Sequence, residues 1–477
     1  MSLVDFQNSQ TIPINGQSEY TSSNGNFNLA FQLSGSANMA LDLNSIRLVC
    51  EVDYLSGSGQ HVNNNDIYAL GVRVLNAAAS APPPPTSILP NFDKPNQSFV
   101  DVDCRTGVNM CINSILFEDS ENNVLENVVS FPHLINKVVS MTMSQDDQLT
   151  WGGSTYGISG GGKSLVNQHS LNSTKDVAIK LYTGLSQSAP LPYSAVRSRL
   201  NISIQLNSSS AVFNGGNNHG SEYGVGNAHA SLNNGCFYRL KNVKMVFRNL
   251  IFDDPEAPIL KSGYSYRHFS SLQSTINSSN NTNIYQPNAT NAISIMSSFI
   301  PSTNLNNYSK NSVQSGKLKN QIPGGTIYPS TVPESVKIHT VDLLKNNVSF
   351  PLTYPIDESV YTQNNSGLNN YETQRSYYYL STIKPFNMIN SCLISPSTEN
   401  YGGFYEATSA DYNVPVSAGV GIRYANVSST DGTNYRGASF QQRINSGLNS
   451  SLNNELFTNI LSTRRIIIGQ NGPVVLP

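Results

Sequence analysis

The sequence predicts an all-β protein of sandwich or jelly-roll type, in two domains with long loops. Three observations carry this. Apolar residues recur with a period of two. The stretches between them are long, polar and rich in Gly or Pro. A Pro- and acid-rich break falls near the middle of the 477 residues.

The strands follow in chain order. Phe27, Leu29, Phe31 and Leu33 alternate with Asn28, Ala30 and Gln32. Ile46, Leu48, Cys50, Val52 and Tyr54 alternate with Arg47, Val49, Glu51 and Asp53. One face of each strand is apolar and the other mostly polar, as in an antiparallel sheet packed on one side. Pro82 to Pro85 form a run of prolines that favours an extended, unpaired loop. The segment SFPHLINKVVSMTM breaks the period. Phe131, Leu134, Ile135 and Val138 recur at helical spacing, Ser130 stands where an N-cap would, and Pro132 falls in the first turn. A short helix is expected over 131–141, and a second over 370–381, NYETQRSYYYLS. Alternation returns at Val177, Ile179 and Leu181, at Leu200, Ile202, Ile204 and Leu206, and at Val243, Met245 and Phe247. Segment 214–235 has almost nothing to bury and reads as a loop.

The strand region 237–252, FYRLKNVKMVFRNLIF, runs into Asp253-Asp254-Pro255-Glu256-Ala257-Pro258, which stops a sheet. Beyond it the chain becomes Asn- and Ser-rich. Weaker strands are expected at 293–300, 336–344, 347–353, 420–427 and 464–468.

Composition narrows the function. Charged residues are 12% of the chain and the net charge is -2, against a usual charged share of about 25%. No basic tail or cluster is visible, so an electrostatic nucleic-acid face is not expected. Cys50, Cys104, Cys111, Cys236 and Cys392 are odd in number, far apart and without a C-x-x-C pair, which argues for buried free thiols. No N-terminal stretch resembles a signal peptide, and no apolar run is long enough to span a membrane, so synthesis in the cytosol is expected. The N-x-[ST] sequons, such as those at Asn172, Asn201 and Asn426, match what this composition produces by chance.

Enzymatic motifs fail on their flanks. GISGGGKS, residues 157–164, fits the phosphate-loop pattern G-x-x-x-x-G-K-[ST]. A phosphate loop needs a buried strand before it and a helix after it, and QDDQLTWGGSTY and LVNQHSLNST are neither. A loop ending in an exposed Lys163 is the better reading. The histidines at 61, 133, 169, 219, 229, 268 and 339 show no metal-ligand spacing. No G-x-S-x-G elbow exists. Asp253 and Asp254 are adjacent, whereas paired glycosidase carboxylates face each other from separated positions. Tyr377, Tyr378 and Tyr379 read as packing residues. No catalytic residue, cofactor-binding residue or metal ligand is assigned, no cofactor is expected, and the protein is expected not to be an enzyme.

Four stretches resemble a known family. These are NFNLAFQLSGSANMALDLNSIRLVCEVDYL (26–55), TGVNMCINSILFEDSENNVLENVVSFPHLINKVVS (106–140) with its tight turn from Asp119 to Asn123, VAIKLYTGLSQSAPLPYSAVRSRLNISIQL (177–206) with its Leu191-Pro192 step, and the acidic exit FRNLIFDDPEAPIL (247–260). Their order resembles the double jelly-roll major capsid proteins of DNA viruses, of the virophage, polinton-like and nucleocytoplasmic large DNA virus lineage. The resemblance implies two consecutive eight-stranded jelly rolls with long loops and a few short helices, over 1–258 and 259–477. It implies a homotrimer that forms a pseudo-hexameric capsomer and tiles an icosahedral shell with neighbouring capsomers. Penton and minor capsid proteins are implied as partners, with room for an inner membrane and no sequence-specific contact to nucleic acid. The place of action is then the virion, with assembly inside the host cell. Loops at 60–98, 144–175, 207–236 and 270–330 become candidates for towers or intersubunit clasps. The alternative is a viral spike, fibre or receptor-binding β protein that displays loops to glycans.

Overall fold

The computed structural model describes residues 3–14, 16, 19–22, 28–55, 59, 61, 72–73, 87–88, 98–102, 107–135, 174–217, 237–254, 263–301, 338–357, 419–424, 432–446, 454–469 and 472–476. The first sandwich is built from β1 (Leu3–Thr11), β2 (Asn28–Ser34), β3 (Met39–Leu55), β4 (Ile112–Glu118), β5 (Val124–Val128), β6 (Lys175–Lys180), β7 (Arg199–Leu206) and β8 (Phe237–Phe252). One sheet runs β1-β8-β3-β6, and the facing one runs β5-β4-β7-β2. Each sheet draws strands from both ends of the segment, as a jelly roll requires.

The second set repeats the order. It comprises β9 (Tyr264–Ile276), β10 (Asn280–Tyr285), β11 (Ala292–Pro301), β12 (Ile338–Lys345), β13 (Val348–Ser349), β14 (Ile356–Asp357), β15 (Gly419–Arg423), β16 (Phe440–Ser446) and β17 (Asn454–Gly469). One sheet runs β9-β17-β11-β15 and the other β10-β16-β12-β13, with β14 also on β12. The strand that is continuous in the first sandwich as β5 is here the broken pair β13 and β14. A last strand, β18 (Gly472–Leu476), folds back on β17. The protein is therefore all-β, with two consecutive eight-stranded jelly rolls and, among the described residues, only short helices.

The alternation seen in the sequence is the physical cause of both sheets. Leu29, Phe31 and Leu33 are buried, as are Ile46, Leu48, Cys50, Val52 and Tyr54. So are Val177, Ile179 and Leu181, Leu200 to Leu206 at every second position, and Val243, Met245 and Phe247. Burying one such apolar side chain contributes about 1.5–3 kcal/mol, and a one-residue slip would turn each of these faces outward. The turn between β4 and β5 is set by Asp119. Its Oδ1 accepts the N–H of Glu121 at 2.8 Å and of Asn123 at 2.9 Å, while Asn122 takes a left-handed φ of 65°. Asn has a lower cost there than most residues.

The expected helix begins where the sequence places it and the strand at 464–468 is present but longer, while the loop at 270–330 and the extent of the strand at 347–353 are corrected. The helix (α1) spans Phe131–Leu134. Phe131, Leu134 and Ile135 are buried as the stripe requires, while 136–141 lie outside the described residues. Ser130 precedes the helix but makes no side-chain cap bond; its backbone is left-handed and its carbonyl accepts the His133 N–H at 2.9 Å. The segment 270–301 is not loop. It holds the end of β9, all of β10 and β11. NNTNIY shows no apolar alternation because β10 is an edge strand that buries only Tyr285. The strand expected at 464–468 is the tail of the longer β17, and that expected at 347–353 shrinks to Val348–Ser349. The region 370–381 lies outside the described residues.

Candidate assembly surfaces and the junction between the sandwiches

The two sandwiches share one continuous sheet. β5, at the edge of the first, lies parallel to β9, at the edge of the second, with Asn127 opposite Ser270. The backbone contact is brief, so side chains secure it. Glu126 is fully buried on β5. Its Oε1 accepts the N–H of Phe269 at 2.7 Å and of Gly184 at 3.0 Å, and its Oε2 accepts that of Leu185 at 2.8 Å. Burial pushes this carboxyl up to about 7, against the pull of those three N–H groups and the Thr183 hydroxyl. The Tyr266 hydroxyl donates to Leu125 O at 3.1 Å, and the Tyr264 hydroxyl to Ala189 O at 2.5 Å. The Arg267 N–H donates to Ser188 Oγ at 2.9 Å. The His133 ring of α1 stacks on Phe457 of β17, with centroids 4.2 Å apart. Tyr264, Tyr266, Phe269 and Ile466 of the second half belong to the apolar core of the first.

A second polar cluster anchors loop roots. Asp53 is fully buried near the end of β3. It accepts from Lys241 at 2.7 Å, Arg239 at 2.8 and 3.0 Å, and Thr174 at 2.6 Å, and it faces His61 Nε2 at 3.2 Å. Burial pushes the carboxyl up, but the hydrogen bonds from Lys241, Thr174, Arg239 and His61 outweigh it and hold it well below the usual carboxylate range. Thr174 immediately precedes β6 and His61 follows β3. Asp53 thus ties two loop bases to β8.

The outer edges are another matter. On β1, no side chain from Asp5 to Thr11 is buried. Phe6 is 57% exposed, with the Arg248 guanidinium over its ring at 4.8 Å, and Ile12 and Ile14 beyond the strand are also exposed. Val348 on β13 is 67% exposed, and Tyr354 is exposed just before β14. Ile467, Val474 and Leu476 form an exposed apolar face on the C-terminal hairpin.

Among the described residues, the candidate chemical groups do not converge. Among the described residues no group of three or more His, Cys, Asp or Glu could hold a metal ion. His268 is buried, and burial with the nearby Arg464 pushes it down to about 3, which keeps it neutral. Cys50 and Cys111 are free and buried, and burial pushes the Cys50 thiol up to about 12, so neither is a ready nucleophile. Asp253 and Asp254 are exposed where β8 ends. Residues 157–164, His169, His219, His229, Tyr377 to Tyr379, Cys104, Cys236 and Cys392 lie outside the described residues, as does the side chain of His339. Of the candidate loops, 207–217 is in part the short helix Ser209–Val212 and the strand Phe213–Asn217. No helix among the described residues is long and apolar enough to cross a membrane. Sequence reasoning passed over Glu126 and β1. A carboxylate between Leu125 and Val128 in a strand that must bury one face was the available signal for the first.

The fold is similar to solved capsid structures over nearly its whole length. PBCV-1 VP54, fitted into a cryo-EM reconstruction of the virophage Sputnik, matches with a TM-score of 0.50 and 10% identity, covering 99% of this chain and 97% of that one. The Faustovirus major capsid protein matches with a TM-score of 0.52 and 9% identity, covering 98% of this chain and 90% of that one. At this identity the likeness is one of fold. No protein-family model and no curated protein matches the chain.

Proposed function

We propose that this chain is the major capsid protein of a DNA virus. Three copies form a pseudo-hexameric capsomer, and capsomers tile an icosahedral shell in the virion. The observation that carries the reading is the pairing of two jelly rolls edge to edge in one chain, through β5 and β9. Two similar sandwiches per chain make six per trimer, which suits a lattice of hexagonal tiles. The near-full-length likeness to the PBCV-1 and Faustovirus capsid folds supports it. The domains divide at 258/259, in the Pro-rich segment between β8 and β9. A net charge of -2 suits a shell that does not itself condense nucleic acid. Penton and minor capsid proteins complete the shell, with room for an inner membrane, and assembly takes place inside the host cell. The mechanism is non-catalytic and rests on buried interface area, which in obligate assemblies commonly reaches about 2,000 Å² or more.

Light scattering on purified protein tests this. The expected mass is about 155 kDa, for three chains of 51.8 kDa, and negative-stain images should show pseudo-hexagonal particles. A stable monomer overturns it, and specific glycan retention without lattice formation moves the assignment to a spike or fibre. Lys163→Ala should leave the assembly intact, and neither protein should turn over ATP.

A further inference from the structure

The two sandwiches have the same strand order, so their edges can be compared one to one. β1 is to the first sandwich what β9 is to the second, since each is the first strand and each pairs with the last long strand, β8 or β17. β5 is likewise the counterpart of β13 and β14, since β5 borders β4 as β13 and β14 border β12. Within the chain, β5 meets β9. That leaves β1 and the β13–β14 edge without the partner that their counterparts have, among the described residues.

Their exposure follows. β9 buries Tyr264, Tyr266, His268 and Phe269, and β5 buries Leu125, Glu126 and Val128. β1 buries no side chain from Asp5 to Thr11 and presents Phe6, with Ile12 and Ile14 just beyond. The other free edge presents Val348 and Tyr354. An edge strand open on both faces, with a row of unpaired N–H and C=O groups, is a template for another strand. Both free edges carry exposed apolar side chains, and neither is protected by lysine along β1 or β13.

We propose that β1 of one copy docks against the β13–β14 edge of a second copy, repeating between chains the contact that β9 and β5 make within one. The inference rests on the capsomer reading above, and it names the surfaces that the capsomer uses. The contact is heterologous, because the two surfaces differ, and a head-to-tail contact of this kind must close into a ring or run on as a fibre. Alternating in-chain and between-chain junctions of the same kind give a ring of six sandwiches when three copies close.

A photo-reactive benzoylphenylalanine in place of Phe6 tests the contact directly. Irradiation of the assembled protein should give inter-chain cross-links, and mass spectrometry should place them in peptides covering 346–356. A mixing experiment checks the polarity. Phe6→Asp and Val348→Asp each damage one side of the junction at an exposed position, and each should lower trimer affinity at least tenfold with an unchanged circular dichroism spectrum. Mixed together, the two variants retain one intact junction per pair, so dimers should appear that neither variant forms alone. Trimers whose cross-links fall between two β1 strands, or away from 346–356, overturn the edge pairing and leave the capsomer reading standing. Failure of the mixture to form dimers also overturns the pairing. A wild-type chain that stays monomeric at every concentration overturns both.

Discussion

The Glu126 carboxylate on β5 accepts the backbone N–H of Phe269 on β9 at 2.7 Å, and this bond crosses from one jelly roll to the other. The same carboxylate holds the N–H groups of Gly184 and Leu185, so one side chain ties β5 to two other backbone segments. Strand pairing at this seam is limited to Asn127 opposite Ser270. The relative placement of the sandwiches therefore depends on a buried acid more than on a long ladder.

Glu126→Ala should be strongly destabilising. It leaves three buried N–H groups without their acceptor, and each unsatisfied group costs about 1–3 kcal/mol. Urea unfolding at neutral pH should show a loss of about 3 kcal/mol or more, and cleavage in the segment between β8 and β9 should accelerate in limited proteolysis. A variant as stable as wild type would mean that water or another side chain replaces the carboxylate.

Burial also gives the junction a pH dependence of unusual sign for a carboxylate. Glu126 sits at about 7 in the fold, against about 4.3 in an unfolded chain. The folded state holds the proton more tightly, so the contribution is fully present below about pH 4 and is lost as pH rises through 7. Stability measured by urea between pH 5 and pH 8 should fall more steeply in wild type than in Glu126→Gln, which cannot ionise. Parallel curves for the two proteins would refute the assignment.

The opposite sign holds at Asp53. Its hydrogen bonds outweigh its burial and keep it well below its ordinary value, so its contribution is present above about pH 4 and is lost as pH falls toward the folded value. Asp53→Asn should cost about 2 kcal/mol at pH 6, less than the full cost of breaking a buried pair because its cationic partners are partly exposed. It should also flatten the acid limb between about pH 4 and pH 2. If the acid limb is unchanged in the variant, other carboxylates govern acid unfolding.

The first jelly roll was readable because each of its inner strands has one buried face. Leu29, Phe31 and Leu33, or Leu200, Ile202 and Ile204, declare that face by alternation alone. β1 was unreadable for the same reason inverted: with both faces open, DFQNSQT has no pattern to show. In the second half, β10 packs only Tyr285, and the buried side chains of β11, β16 and β17 include Ser297, Gln442 and Thr458 in place of apolar groups, joined by hydrogen bonds such as that between Ser297 Oγ and Thr458 Oγ1 at 2.9 Å. Polar inner faces read as loop. The junction was hidden because its donors lie far from Glu126 in sequence, at Gly184 and Phe269, and only the fold brings them together.

Gly184 is the steric counterpart of Glu126. Its φ of -62° is ordinary, so alanine meets no backbone strain there and the test isolates packing. A Cβ would lie 2.8 Å from Glu126 Oε1, 2.9 Å from His268 N and 3.0 Å from Arg267 C. Two of these neighbours are backbone atoms of β9, and the third is a carboxylate held by three hydrogen bonds, so none can give way cheaply. Gly184→Ala should force the 184–187 segment off β9 and weaken the Glu126 bonds. The expected cost is about 1–3 kcal/mol, the usual range for overpacking. Hydrogen exchange should then rise at the Leu185 and Phe269 amides ahead of those on β3 and β8. Uniform exchange across both sandwiches would show that the junction opens only with the whole fold.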